Sequence, residues 1–192
     1  MSIIHKLFCV IGRTAVGKST ITHEVAKKMG LRVLKSYTTR AMRQNETEEK
    51  SDHTFISPDE VEQYRDDMVA YTDRVGYCSF MTKQQIMESD LCIINPSEFY
   101  ELKLKTKDLP IELVPIYITV PYSVNMANAK SRGNVEEWKL NYEKENAEFS
   151  DFEKSNMIYY RILNDTSIDH AVAKMTRILE KKMKQAKCEK LA

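Results

Sequence analysis

Short apolar runs alternate with segments of helical periodicity along the chain. Leu7 to Ile11, Leu91 to Ile94, Leu113 to Val120 and Tyr160 to Leu163 carry few polar residues, the pattern of strands covered on both faces. Amphipathic or highly charged stretches separate them. Strands and helices in alternation predict an α/β fold, a three-layer core around a mainly parallel sheet. Helix starts are written locally. Ser57, Pro58 and Glu60 combine an N-cap, a first-turn proline and a capping box, and Thr82 with Gln85 repeats the box. Ser167 and His170 open a terminal helix whose apolar face, Val172, Met175, Ile178, Leu179 and Met183, is expected to be core.

Two stretches break the alternation. Between Ser36 and about Tyr77 the chain is polar, with short β-like pieces and one helix; between Tyr122 and Ser150 it is almost wholly helical and charged. Both are read as insertions sized for moving flaps. With no repeat, low-complexity tract or Pro/Gly-rich linker, the chain is expected to form a single domain. Its core would comprise residues 1–35, 80–121 and 151–192, with one insertion at 36–79 and a helical lid at 122–150.

Composition narrows the classes. A chain of 192 residues buries roughly 70% of its unfolded surface, so no metal or disulfide staple is needed. Lys plus Arg number 29 against 28 Asp plus Glu, which gives no general attraction to nucleic acid or to an anionic membrane. The lysines of the last helix, Lys181, Lys182, Lys184, Lys187 and Lys190, are read as a solvated helix end. Cys9, Cys78, Cys92 and Cys188 lack paired spacing, and Cys9 and Cys92 lie inside strand-like runs, which fits a reducing cytoplasm. No window reaches the ~18 apolar residues of a membrane span, so a soluble protein is expected.

The chemistry begins at the end of the first apolar run. Gly12, Gly17, Lys18 and Ser19 follow Ile11 in the order G-x-x-x-x-G-K-S, the phosphate-binding loop of nucleotide-dependent enzymes. A strand that stops at glycine and passes into a helix leaves several N–H groups aimed at one place, where a polyphosphate fits. Gly12 and Gly17 permit the tight path, Lys18 can reach the outer phosphates, and the Ser19 hydroxyl can ligate magnesium. A second stretch, Ser36-Tyr37-Thr38-Thr39-Arg40-Ala41-Met42-Arg43-Gln44-Asn45-Glu46, places two arginines three apart in a loop. Paired guanidinium forks suit a compact phosphate dianion and fix its orientation. Glu46 can hold one fork in place. Read on its own, the stretch is equally a solvated loop of mixed charge.

Taken together these residues resemble the guanylate kinase family of nucleoside monophosphate kinases, over most of the chain. The resemblance rests on G-R-T-A-V-G-K-S-T at Gly12 to Thr20, S-Y-T-T-R-A-M-R-Q-N-E at Ser36 to Glu46, D-H-T-F-I-S at Asp52 to Ser57, G-Y-C-S at Gly76 to Ser79 and I-L-N-D at Ile162 to Asp165. It implies that segment 36–79 binds the monophosphate and that ATP with Mg2+ is the donor. Arg40, Arg43 and Tyr77 would then hold the acceptor phosphate, with His53 able to donate to it where the family has tyrosine. Ser36 and Ser79 would lie beside the acceptor base. The loop Gly12, Arg13, Thr14, Ala15, Val16, Gly17, Lys18, Ser19 and Thr20 would bind ATP, Asn164 would face its adenine, and Arg132 would reach the transferring phosphate. Lys18, Arg40, Arg43 and Arg132 would be the catalytic residues.

Five further positions depart from the family's pattern. Ala70 stands where a guanine-reading glutamate is usual, Asn95 and Ser97 replace acidic residues after the strand at Leu91, and Asn128 and Asn141 occupy positions of lid arginines, with Lys130 and Lys139 near enough in sequence to supply charge. The expected reaction is transfer of the ATP γ-phosphoryl group to GMP or dGMP. The alternatives are a kinase for another nucleotide or a phosphorylated sugar, and a nucleotide-binding scaffold with weak turnover. Neither His5, His23 nor His170 sits in a triad context.

Overall fold

Hydrophobic runs become strands where the sequence places them. In the computed structural model, which describes residues 4–43, 46–74, 76–133 and 135–188, β1 spans His5–Ile11 and leads through a glycine-containing loop into α1, Lys18–Met29. There follow β2 (Ser36–Thr38), β3 (His53–Phe55), a 3-10 helix (Pro58–Asp67), β4 (Met68–Arg74), β5 (Tyr77–Thr82), α2 (Lys83–Glu88), β6 (Leu91–Ile93) and α3 (Pro96–Lys105). β7 (Ile111–Thr119), α4 (Tyr122–Ser131), α5 (Val135–Lys154), β8 (Tyr160–Leu163) and α6 (Ile168–Cys188) complete the chain. One four-stranded, mainly parallel sheet has the order β6-β1-β7-β8 and a second the order β3-β2-β5-β4. Tertiary contacts group residues 1–9 with 32–114, and residues 10–31 with 115–192.

In the first group the second sheet is mixed. β2 pairs parallel with β3, Ser36 opposite His53, and antiparallel with β5, Thr38 opposite Ser79. β5 pairs antiparallel with β4, whose register shifts between Met68 and Ala70. Phe80, Ile86, Leu91, Phe99 and Leu102 are 2% exposed or less and form the core here. The capping boxes at Ser57 and Thr82 form as the sequence predicts. The segment opened by Ser57 winds as a 3-10 helix, and only Val61, Tyr64 and Asp67 are half-buried along it. That spacing of three is the 3-10 repeat, in which side chains three apart eclipse. No residue of it is fully buried, so no apolar stripe enforces the α period. Tyr64 stacks on Tyr37 at 4.5 Å between ring centroids.

In the second group β7 and β8 pair parallel, Ile116 opposite Tyr160 through Thr119 opposite Leu163. α6 packs along α1. Ile21, Val25, Trp138, Phe149, Phe152, Met175 and Leu179 are 2% exposed or less. The lid-like stretch is the helix pair α4 and α5, with α5 running on to Lys154. One expected core position fails: Met183 is 37% exposed. α6 has 21 residues against the 12 of α1, so at ~1.5 Å per residue its last turns outrun that partner. Lys190 and the side chains of Lys187 and Cys188 lie outside the described residues. Cys9, Cys78 and Cys92 are free, buried thiols. Among the described residues no helix is long and apolar enough to cross a membrane.

Candidate active site

The phosphate loop owes its path to two glycines and one strained alanine. A Cβ on Gly12 would lie 2.5 Å from the carbonyl oxygen of Ile118, inside contact distance of rigid backbone, so only glycine fits. Gly17 takes the left-handed conformation at φ 93° as N-cap of α1, and no side chain caps that end. A helix N-terminus of this kind favours an anion. Ala15 also has positive φ, 58°, and is the sole non-glycine residue to do so among those described. Such a backbone costs a β-carbon residue on the order of 1 kcal/mol, and surrounding contacts must hold it.

Those contacts reach every carbonyl from residue 12 to residue 16. Lys18 Nζ donates to Gly12 O at 2.5 Å and to Arg13 O at 2.9 Å. Asn125 Nδ2 donates to Thr14 O at 2.9 Å, Asn128 Nδ2 to Ala15 O at 2.9 Å and Asn164 Nδ2 to Val16 O at 3.0 Å. Asn164, expected beside adenine, is 8% exposed with its amide committed to the loop. Arg13 lays its guanidinium over Tyr142 at 4.9 Å and Phe149 at 5.0 Å. Ser19 and Thr20 are exposed on the first turn of α1. Arg132 is exposed at the C-cap of α4. Lys139, expected to supply lid charge, is ion-paired with Glu136 of its own helix at 3.0 Å.

Sequence reading missed Glu145. Its carboxylate on α5 accepts from the Thr14 N–H at 3.1 Å. Burial raises its pKa, against the pull of that hydrogen bond and of Lys18 and Arg13. A carboxyl oxygen already sits on one of the loop's N–H groups, so a phosphate must compete with it. Glu145→Gln is expected to tighten Mg-ATP binding about 3- to 10-fold by removing that charge, measured by titration calorimetry. Weaker binding would show that Glu145 supports the loop instead.

The acceptor-side residues gather on the second sheet. Arg40 Nη2 pairs with Glu46 at 2.9 Å, Nη1 donates to Ala41 O at 2.8 Å, and the guanidinium lies 5.3 Å from the Phe55 ring centroid. Glu46 also accepts from the Ser51 hydroxyl at 2.8 Å and the Arg43 N–H at 3.2 Å. Burial would raise the Glu46 carboxyl, but those bonds and Arg40 outweigh it and hold the pKa below 4.5. The Arg43 residue is exposed; Gln44 and Asn45 of the same motif lie outside the described residues. Ser36 Oγ lies 2.8 Å from His53 Nδ1, and the Ser79 hydroxyl donates to Thr38 Oγ1 at 2.9 Å. Tyr77 opens β5 and is half-buried. Ala70 is 1% exposed on β4.

His53 carries a pH signature. Burial, then the nearby Arg40, with a smaller push from Arg43, lowers its pKa below 6.5 against the opposite pull of Asp52 and Glu46. The unfolded chain therefore binds a proton that the folded chain resists. The stability from neutral His53 is full above the unfolded value of 6.5 and is lost as pH falls from there toward the lower folded pKa. His53→Gln is expected to lose less melting temperature than the wild type between about pH 7.5 and about pH 5.5. Equal losses would exclude His53 as the titrating group.

Comparison with known proteins gives the family and the fold. The guanylate kinase family profile matches residues 4–182. The fold is similar to the crystal structure of guanylate kinase from Anaplasma phagocytophilum, with a TM-score of 0.63 and 16% sequence identity over 94% of this chain and 87% of that one. No curated protein matches the sequence. With the profile spanning nearly the whole length and the phosphate loop formed as its motif requires, the chain belongs to the guanylate kinase family.

Proposed function

We propose that the protein transfers the γ-phosphoryl group of ATP to a nucleoside 5′-monophosphate, GMP or dGMP, giving the diphosphate and ADP. Family membership supports nucleotide phosphotransfer at the coarser level. The observation that supports phosphoryl transfer from ATP is the intact loop from Gly12 to Ser19, with Gly17 left-handed and the end of α1 uncapped by any side chain. Lys18 would leave its carbonyl partners for the β- and γ-phosphates. Arg40 and Arg43 would clamp the acceptor phosphate, and Arg132 would offset charge on the transferring group. Because the attacking phosphate oxygen is already anionic, positioning and charge neutralisation suffice and no general base is required.

The donor set fits magnesium. Ser19, an exposed residue next to Lys18 in the chain, carries a hydroxyl oxygen of the kind magnesium takes, and no cluster of three His, Cys, Asp or Glu side chains occurs among the described residues. A hard cation held by one hydroxyl, phosphate oxygens and water matches that inventory. When bound it would neutralise charge on the β- and γ-phosphates.

A second reading, a kinase for another monophosphate, is favoured by Ala70, which is buried and carries no carboxylate to pair with guanine. ADP production from Mg-ATP with GMP, dGMP, AMP, CMP, UMP and dTMP as separate acceptors decides between them, with Lys18→Ala as the blank. Lys18-dependent turnover selective for GMP or dGMP is the expected result. Equal or better turnover of another acceptor would sink the guanine assignment. No turnover with any would favour an acceptor outside this set, such as a phosphorylated sugar, or the noncatalytic scaffold.

A further inference from the structure

The loop's carbonyls are held by residues that no phosphate-loop motif contains. Asn125 and Asn128 lie three apart on one face of α4, and Asn164 follows β8. Each sends its amide nitrogen to a different member of three successive carbonyls, Thr14 O, Ala15 O and Val16 O. In a trans peptide the C=O of one residue and the N–H of the next point in opposite directions. Fixing those carbonyls on one side therefore fixes the N–H groups of Ala15, Val16 and Gly17 on the other. Lys18, through Gly12 O and Arg13 O, does the same for the N–H groups of Arg13 and Thr14 while no phosphate draws it away.

The strain at Ala15 has the same explanation. Its left-handed φ of 58° requires both flanking peptides to be held, and these are the peptides whose oxygens Asn125 and Asn128 bind. Asn125 is itself anchored: it is 2% exposed, and its Oδ1 accepts from the indole N–H of Trp138, which is also 2% exposed. Because Trp138 is the chain's single tryptophan, its emission reports on the carbonyl line that runs through Asn125 to Thr14.

From this arrangement we infer that Asn125, Asn128 and Asn164 are positioning residues of the nucleotide site. They preset the loop's N–H groups as a phosphate receptor and hold Ala15 in the conformation that receptor needs. The inference rests on reading residues 12–19 as the ATP phosphate loop, and it adds that α4 sets the donor affinity through two amides.

The test uses the full chain with Mg-ATP. Asn128→Asp keeps the size of the side chain and removes the donated hydrogen bond; Asn128→Gln keeps an amide donor. Asn128→Asp is expected to weaken Mg-ATP binding about 10-fold, the loss of one committed hydrogen bond plus repulsion from a carbonyl, with the acceptor KM within about 2-fold of wild type. Asn128→Gln is expected to recover part of the loss. In an Ala15→Gly background, where positive φ carries no penalty, the loss should shrink to about 3-fold.

Wild-type affinity in a folded Asn128→Asp, an equal rise in acceptor KM, or an undiminished loss in the Ala15→Gly background would each overturn the inference. Should Asn128→Asp fail to fold, Asn125→Asp serves instead. Mg-ATP is expected to change Trp138 emission in the wild type, and Asn125→Asp, which retains the acceptor for the Trp138 N–H, should abolish that change; no change in the wild type, or an unaltered change in the variant, would overturn the coupling. A wild-type chain that binds neither Mg-ATP nor inorganic tripolyphosphate would be recognisable before any variant is compared. It would overturn the phosphate-loop reading and this inference together.

Discussion

Lys18→Ala is expected to lower phosphoryl transfer by about 100- to 1000-fold, the usual cost of deleting one preorganised group that meets charge developing in the transition state. The same substitution also frees Gly12 O and Arg13 O, which Lys18 Nζ holds at 2.5 and 2.9 Å. Two effects are thus combined, and steady-state kinetics separate them. Loss of charge at the transferring group lowers kcat, whereas a loosened loop raises the ATP KM. Lys18→Arg restores a cation without the compact ammonium and is expected to recover affinity before rate. Turnover unchanged in Lys18→Ala would exclude phosphate-loop chemistry altogether.

Arg40→Ala should be the most damaging change on the acceptor side, lowering kcat/KM for the monophosphate about 100-fold while leaving the ATP KM near wild type. Arg40 is only 14% exposed at its side chain and ion-paired with Glu46, so its fork is already ordered and little entropy is lost when phosphate arrives. The variant also removes one of the groups that keep Glu46 ionised. Since the Glu46 pKa is depressed below 4.5, its contribution to stability is present above that value and disappears as pH falls through the lower folded pKa. Arg40→Ala should raise the folded pKa and narrow that acid window, read as a smaller pH dependence of melting below about pH 4.5. An unchanged acceptor kcat/KM would remove Arg40 from the site.

The residues of α4 and α5 show why a charge inventory differs from a site. Lys139 lies close in sequence to where a lid cation was expected, yet it is spent on Glu136. Asn128, which offers no charge to a phosphate, is bound to the loop that would hold one. Substituting an amide for a guanidinium at such a position exchanges direct charge for geometric support of the backbone N–H groups.

By itself the sequence determined the elements and the local motifs. Apolar runs dictated β1, β6, β7 and β8, the capping boxes at Ser57 and Thr82 set two helix starts, and the spacing of Gly12, Gly17 and Lys18 specified the loop. The Arg40–Glu46 pair was equally legible, because its partners are six residues apart and short-range contacts are constrained by the chain itself. Only the tertiary structure decided what surrounds the loop. Glu145 meets Thr14 across 131 residues, and the three asparagines meet their carbonyls across 111, 113 and 148. An asparagine or glutamate on a charged helix carries no local mark of such a partner, since its pattern is that of any solvated face. The winding of Pro58–Asp67 and the exposure of Met183 belong to the same class: period and propensity are weak priors, and the presence or absence of a packed neighbour settles both.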